Sequence, residues 1–260
     1  MISFRLVILL VAMAQGAALA ADPQPLSLAR AVAAAGAAAG PARAPAARVE
    51  ATRHFYDALV ADREYAAANE QVAVTYVAFD RARAKAGAAA ATDIAVKDLE
   101  VHYARALERR QGVLARQRLS RHALAGTMGA AAMPGELEEP PAPPASGTIR
   151  DFDDLVKAMA GSAAPERAAA DVARDRAELL RATLDIERLR RAVIPRAERE
   201  AELADMKLEK ARDDHERGLP SALGAAMAGT AEAGWRRLQA QGELAVALAR
   251  REALAGPTHP

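Results

Sequence analysis

The chain has 260 residues, with 35 basic against 34 acidic side chains, no cysteine, and 3% aromatic residues within a 52% apolar composition. So few aromatics cannot fill a thick core, and the alanine that replaces them is the best helix former, so long thin paired helices are expected instead of a deep globule. The near balance of charge argues against a nucleic-acid partner, and the lack of cysteine excludes a disulfide frame, a lipid-attachment thiol and a thiolate metal cage.

Met1–Ala20 reads as a secretory signal peptide: Arg5, an apolar run from Leu6 to Ala14, then Ala18-Leu19-Ala20 as a cleavage site. The run is shorter than the roughly 20 residues a spanning helix needs, and no later stretch is both long and free of charge, so no membrane span is expected. Export to the periplasm follows, and loss of Arg5 with the leader brings the basic residues level with the 34 acidic ones.

The next segment, residues 21–129, is expected to be a first helical repeat. It opens on a short helical motif, Leu26-Ser27-Leu28-Ala29-Arg30-Ala31-Val32, which runs into Gly36. From Ala47 to Ala86 there is no proline or glycine, and Ala51, Ala58, Tyr65, Val72, Phe79 and Ala86 recur every seven residues, with Ala61, Ala68, Thr75 and Ala82 as a second row beside His54. That heptad seam predicts one helix about 60 Å long. Gly87 ends it, a turn near 87–92 follows, and Thr92 and Asp93 supply a cap for a return helix predicted to stop near Gly126. The aromatic stripe of Phe55, Tyr65, Tyr76 and Phe79 is expected to lie in the seam, with Tyr103 and Trp235 packing likewise or facing a neighbouring protomer.

Residues 130–148 are expected to be a linker, since Met133–Gly147 holds five prolines, two glycines and three glutamates. Such a composition predicts disorder. A second repeat, 149–256, restates the plan with Phe152–Ala158 as its short motif, Gly161 after it, and a turn near 218–222. Leu179, Ala182, Ile186, Leu189 and Val193 form one 3-4 seam, and Ile194, Ala197, Ala201, Ala204, Leu208 and Ala211 form another, out of step by one residue at Pro195. A stutter of this kind predicts local unwinding and a kink. Gly218 and Leu219-Pro220-Ser221 make the turn, and the return helix ends before Gly256. The matched arm lengths, and internal glycines at Gly112 and Gly242, point to an internal duplication. The fold class expected is therefore all-α: two long antiparallel coiled-coil hairpins.

The order of short helix, long helix, glycine turn and return helix, occurring twice behind a leader, resembles the TolC-like outer-membrane efflux protein family. The residues carrying the resemblance are Leu26-Ser27-Leu28-x-x-Ala31-Val32, Phe55-Tyr56-Asp57-Ala58-Leu59, and Ala86-Gly87 with Asp93. In the second half they are Val193-Ile194-Pro195-Arg196-Ala197-Glu198 and Arg217-Gly218, which look most like the heavy-metal efflux branch. The resemblance implies a component of a tripartite efflux system for metal ions or small toxic compounds, possessing an adaptor-protein partner at the hairpin tips. A homotrimer forming a periplasmic helical tunnel, capped by an outer-membrane β-barrel, is the assembly it implies.

Departures are equally informative. The barrel strands of the family fall between short helix and long hairpin, and a membrane strand takes about 9–11 alternating residues. Gly40–Arg53 is instead rich in Ala, Pro and Arg, and Gly161–Arg176 in Ala and charge. The tip aspartate of the second hairpin is missing, with Met227 near its place, and His215 stands where a tyrosine precedes the glycine. A soluble periplasmic binding or regulatory protein derived from such a channel is the alternative reading.

The candidate docking residues are thus Gly87, Ala88, Thr92, Asp93, Gly218, Leu219, Pro220 and Ser221, for which simple chain reversal is the competing explanation. His54, His102, His122, His215 and His259 lack helical pair spacing, so no metal site is expected. With no phosphate loop, nucleophile elbow or His-Glu-x-x-His, no catalytic residue and no cofactor is assigned, and the chain is expected not to be an enzyme.

Overall fold

A computed structural model describes residues 24–143, 154–157, 169–218 and 222–255. The leader at 1–20, the glycines Gly147, Gly161 and Gly256, the ends of the Phe152–Ala158 motif, and Leu219, Pro220 and Ser221 lie outside the described residues. The described chain is all-α: α1 (Leu28–Ala39), α2 (Ala44–Ala86), α3 (Ile94–Met128), α4 (Ala169–Arg188), α5 (Ile194–Glu216) and α6 (Leu223–Ala255). Its one β-type contact is an isolated parallel bridge between Leu26 and Leu137.

The long helices form two antiparallel hairpins set side by side. Asp62 and Glu64 of α2 meet Gln117, Arg121 and Arg116 of α3, whereas Tyr76 and Phe79, further along α2, meet Tyr103, earlier in α3. In the second hairpin Leu189 and Ile194 pack with Ala240 and Leu244, and Thr230 donates to the Ala204 carbonyl at 3.2 Å. The hairpins join through α2 and α6, so the order across the layer is α3, α2, α6, then the α4–α5 arm. Helices α3 and α4 do not touch each other, which leaves an open layer of helices in place of a closed bundle.

The join is close because it is built on glycine. A Cβ at Gly242 would lie 2.8 Å from the Tyr56 Cβ, and one at Gly224 would lie 3.0 Å from Val74 Cγ2. Gly112 has open space at the same test, so the two internal glycines play unlike roles: one sets a helix spacing and the other faces solvent.

Buried mass concentrates at the open end. Phe55, Leu124 and Ala31 are fully buried in one cluster with Tyr56, Leu59 and Leu238, and each large apolar side chain there contributes about 1.5–3 kcal/mol. Helix α1 thus plugs the first hairpin, and Leu155 meets Leu179 and Ala255 at the base of the second. Beyond Ala68 no residue of α2 is buried. The aromatic stripe accordingly divides: Phe55 is core, Tyr65 and Phe79 are half-buried, and Tyr76 is nearly half exposed. A heptad repeat specifies a seam, but depth of burial depends on how many neighbours surround the helix, and α1 covers only the base.

The stutter has a specific form. Leu189–Val193 is a π turn, in which the Ile194 N–H bonds to the Leu189 carbonyl. A π turn holds one extra residue, which matches the one-residue slip between the two seams and frees the carbonyl that the Pro195 ring would otherwise strike. Both seams stay inward as a result: Leu179, Ile186, Leu189, Ile194, Ala197 and Ala211 are all buried.

Two boundaries differ from expectation. Helix α2 starts at Ala44, not Ala47, because Pro45 in the first turn lacks an N–H that would have had no intrahelical acceptor. Helix α3 runs past Gly126 to Met128, since Gly129 at φ 67° takes the left-handed cap and Ala130 N–H bonds back to the Ala125 carbonyl at 2.9 Å. The proline-rich segment differs more: residues 133–143 form a fixed strap instead of a disordered tether. Leu26 donates its N–H to Glu136 O (2.9 Å) and accepts from Glu138 N–H (3.0 Å), and Arg63 pairs with Glu139 at 2.6 Å. Arg121 ties the strap further, donating to the Pro134 carbonyl at 2.6 Å, to the Gly135 carbonyl, and to Asp62 at 2.6 Å.

Candidate functional site

Of the predicted docking residues, Gly87, Ala88, Thr92, Asp93 and Gly218 are described, and they sit in or next to the hairpin turns. At the first tip α2 ends on Gly87, whose φ of 50° and ψ of −123° suit glycine, and a single 3-10 turn, Gly87–Ala89, begins the reversal. Thr92 and Asp93 both donate backbone N–H to Ala89 O at 3.0 Å, and the Thr92 hydroxyl reaches the same carbonyl at 3.2 Å. The Asp93 carboxylate accepts from Ala95 N–H at 2.8 Å and Val96 N–H at 3.4 Å. Thr92 and Asp93 therefore do the work of chain reversal and helix capping, while Gly87 and Ala88 are exposed. At the second tip Gly218 has φ 71° and its N–H bonds to His215 O at 3.0 Å.

Sequence reasoning missed the most prominent group at the first tip. Ile94, the first residue of α3, is 85% exposed. It belongs to neither seam row, and the available signal was a large apolar residue directly after an N-cap. Tyr76, Val77, Val101, Leu203, Met206 and Met227 are also exposed on the distal parts of the hairpins. The tip half of the layer thus carries apolar side chains that its own helices do not cover.

Towards the open end, a groove of about 780 Å³ lies across α2 and α6, with α3 and α4 as its banks. Some of its charges pair within the chain: Glu64, 8% exposed, meets Arg116 at 2.8 Å, and Arg188 lies 3.7 Å from Asp185. Trp235 is shared between this groove and a smaller cavity beside the strap, and its buried indole N–H finds no acceptor among the described residues. Tyr56 stands at the join between the hairpins; burial pushes its phenol up to about 12, and the charge of Glu139 adds to the rise. Among the described residues no group of three or more His, Asp or Glu side chains is placed to hold a metal ion, and no helix is long and apolar enough to cross a membrane.

No family model and no curated protein matches the chain. Two solved structures do. A membrane protein from Pseudomonas aeruginosa superposes with a TM-score of 0.57 at 14% identity, covering 88% of this chain and 69% of its own. The open state of the Neisseria gonorrhoeae MtrE outer membrane channel superposes with a TM-score of 0.53 at 12% identity, covering 88% of this chain and 71% of its own. At such identities the likeness is one of fold, and the fold is TolC-like.

Proposed function

We propose that the chain is an exported helical docking element of a tripartite export system, which engages a periplasmic adaptor through its hairpin tips and is not itself an enzyme. The observation that carries this reading is the bare first tip: one of two side-by-side hairpins of a TolC-like fold turns at Ile94, 85% exposed, with further uncovered apolar side chains behind it. An adaptor's helical hairpin would cover them in the manner of a helix laid in a groove. A homotrimer would cover more, by closing the open edges at α3 and the α4–α5 arm against neighbouring copies. The strings Val193–Glu198 and Arg217-Gly218 motivate metal ions or small toxic compounds as the cargo of the system, with the outer-membrane side of the periplasm as its place.

A specific observation favours a non-conducting form. Helices α1 and α2 are joined by Gly40–Arg43 alone, at the place where the family resembled carries barrel strands. Four residues cannot supply a strand pair when each membrane strand takes about 9–11. A polypeptide crosses a bilayer only as apolar helices or a closed barrel, and this chain's long helices carry charges throughout.

Capture from the native envelope tests the docking reading. Ile94→Asp should reduce recovery of an adaptor protein while leaving the thermal midpoint unchanged, whereas equal recovery by both forms would refute tip docking. Planar-bilayer recordings separate the two forms of the reading: the chain alone should give no conductance, and reproducible single-channel steps would return it to the channel class.

A further inference from the structure

The sulfur of this chain is all thioether: seven methionines and no cysteine. Among the described residues Met128 packs against the Phe55 cluster, whereas Met133, Met206 and Met227 are 55, 62 and 41% exposed. Met133 begins the strap at the open end, and Met206 and Met227 lie on the distal half of the second hairpin, on α5 and α6. The hydrogen bond from Thr230 to the Ala204 carbonyl fixes the register of that hairpin. Because the helices are antiparallel, stepping back from Thr230 to Met227 and forward from Ala204 to Met206 moves the same way, so the two methionines stand within about 2 Å of one level.

Together with Leu203, 51% exposed, they make up the large apolar side chains that this part of the second hairpin leaves uncovered. A shallow groove runs between α5 and α6 at the same level, lined by Leu203, Ala204, Ala226 and Gly229, and Gly229 has open space where a Cβ would stand. The counterpart surface of the first hairpin, Tyr76, Val77, Ile94 and Val101, holds no sulfur. An unbranched thioether adapts its shape to a partner, and unlike those side chains it is turned polar by the transfer of a single oxygen.

We infer that Met206 and Met227 form an oxidation site that controls docking: hypohalous acid reaching the envelope converts both thioethers to sulfoxides, and the oxidised hairpin no longer seats an adaptor. In that step the sulfur gives two electrons to the halogen, which leaves as halide; an S–O bond forms with oxygen from water, and one net proton passes to solvent. The new S–O dipole breaks the apolar character that makes the surface worth covering, and each methionine withdrawn from burial forfeits about tenfold in binding or more. Oxidation takes place on the undocked chain, since a seated partner shields both sulfurs, and sulfoxide reduction reverses it. This inference rests on tip docking and adds its regulation.

Purified chain treated with graded hypochlorite, mapped by peptide mass spectrometry and then offered to the native envelope fraction, provides the test. Met206 and Met227 should each gain one oxygen at doses that leave Met128 reduced, with the thermal midpoint unchanged because neither belongs to a buried cluster. Adaptor recovery by the oxidised chain should fall at least about tenfold, and methionine sulfoxide reductases should restore it. Met206→Leu with Met227→Leu keeps the surface apolar without sulfur and should hold full recovery after the same treatment, although Met133 is oxidised in both forms. Met128 as reactive as the exposed pair, undiminished recovery by the oxidised parent, or an equal loss in the double variant would each overturn the assignment. Recovery absent already from the untreated parent would instead refute docking itself, and this inference with it.

Discussion

Replacing Gly242 by alanine probes the join between the two hairpins more sharply than any larger change. The new methyl would sit 2.8 Å from Tyr56 Cβ and 2.9 Å from its Cγ and Cδ1. Those atoms are next to the α2 backbone and fully enclosed, so they cannot swing aside as a side-chain tip would; α2 and α6 must move apart. Overpacking of this kind costs about 1–3 kcal/mol. Against it stands the helix preference of alanine over glycine, about 1 kcal/mol. The net expectation is a destabilisation of about 1 kcal/mol, or a fall of roughly 2–4 °C in thermal midpoint for a chain of this size. Gly112→Ala, in open space on α3, keeps the gain without the clash and should raise the midpoint by a similar amount. Far-ultraviolet circular dichroism melts of both variants are sufficient. A Gly242→Ala protein as stable as Gly112→Ala would show that the hairpins do not interlock there, and would refute the order of helices across the layer.

Three further expectations come from other parts of the molecule. Deleting Arg191 together with Pro195→Ala should leave a cooperative, folded protein, because removing one residue converts the π turn into α-helix and brings the two seams into step; deleting Arg199 instead rotates the lower seam by about 100° and should lower the midpoint severely. Arg121→Ala should release the strap and expose residues 133–143 to limited proteolysis, with a loss of about 1–3 kcal/mol from charge-assisted bonds, and Arg121→Lys should not restore it, since one ammonium cannot span Asp62 and two carbonyls. Tyr56 carries a pH signature: its phenol rises from 10.0 to about 12 on folding, so it contributes stability that is intact below pH 10 and lost as pH climbs towards 12. Tyr56→Phe should flatten the alkaline decline in denaturation midpoints over that window, and a decline identical to that of the parent would contradict the assignment.

What the sequence disclosed was whatever repeats along one helix. The 3-4 spacing from Leu179 to Val193 and from Ile194 to Ala211 names residues that are in fact inward, and the slip at Pro195 locates the π turn, because register is a local property. Asp93 was legible as a cap for the same reason. Contacts between helices distant in sequence were not. Gly242 looked like a partner for Gly112 in a repeat, and only the placement of α6 against Tyr56 explains it. The strap read as a disordered tether because its composition cannot build a core of its own; it is held by a core built elsewhere, through Leu26, Arg63 and Arg121. Ile94 was overlooked since an exposed apolar residue breaks no periodicity, and its exposure depends on what the neighbouring turn leaves uncovered.

Docking through a bare tip is the central claim, and a photo-crosslinking residue placed at position 94 in the native envelope tests it most directly. Irradiation followed by separation of periplasm from outer membrane should yield one discrete adduct with the hairpin of a periplasmic adaptor, lost when the reactive residue is moved to exposed Leu119 near the opposite end of the layer. Adducts formed equally from positions 94 and 119, or none from position 94 in cells that carry the export system, would contradict the account.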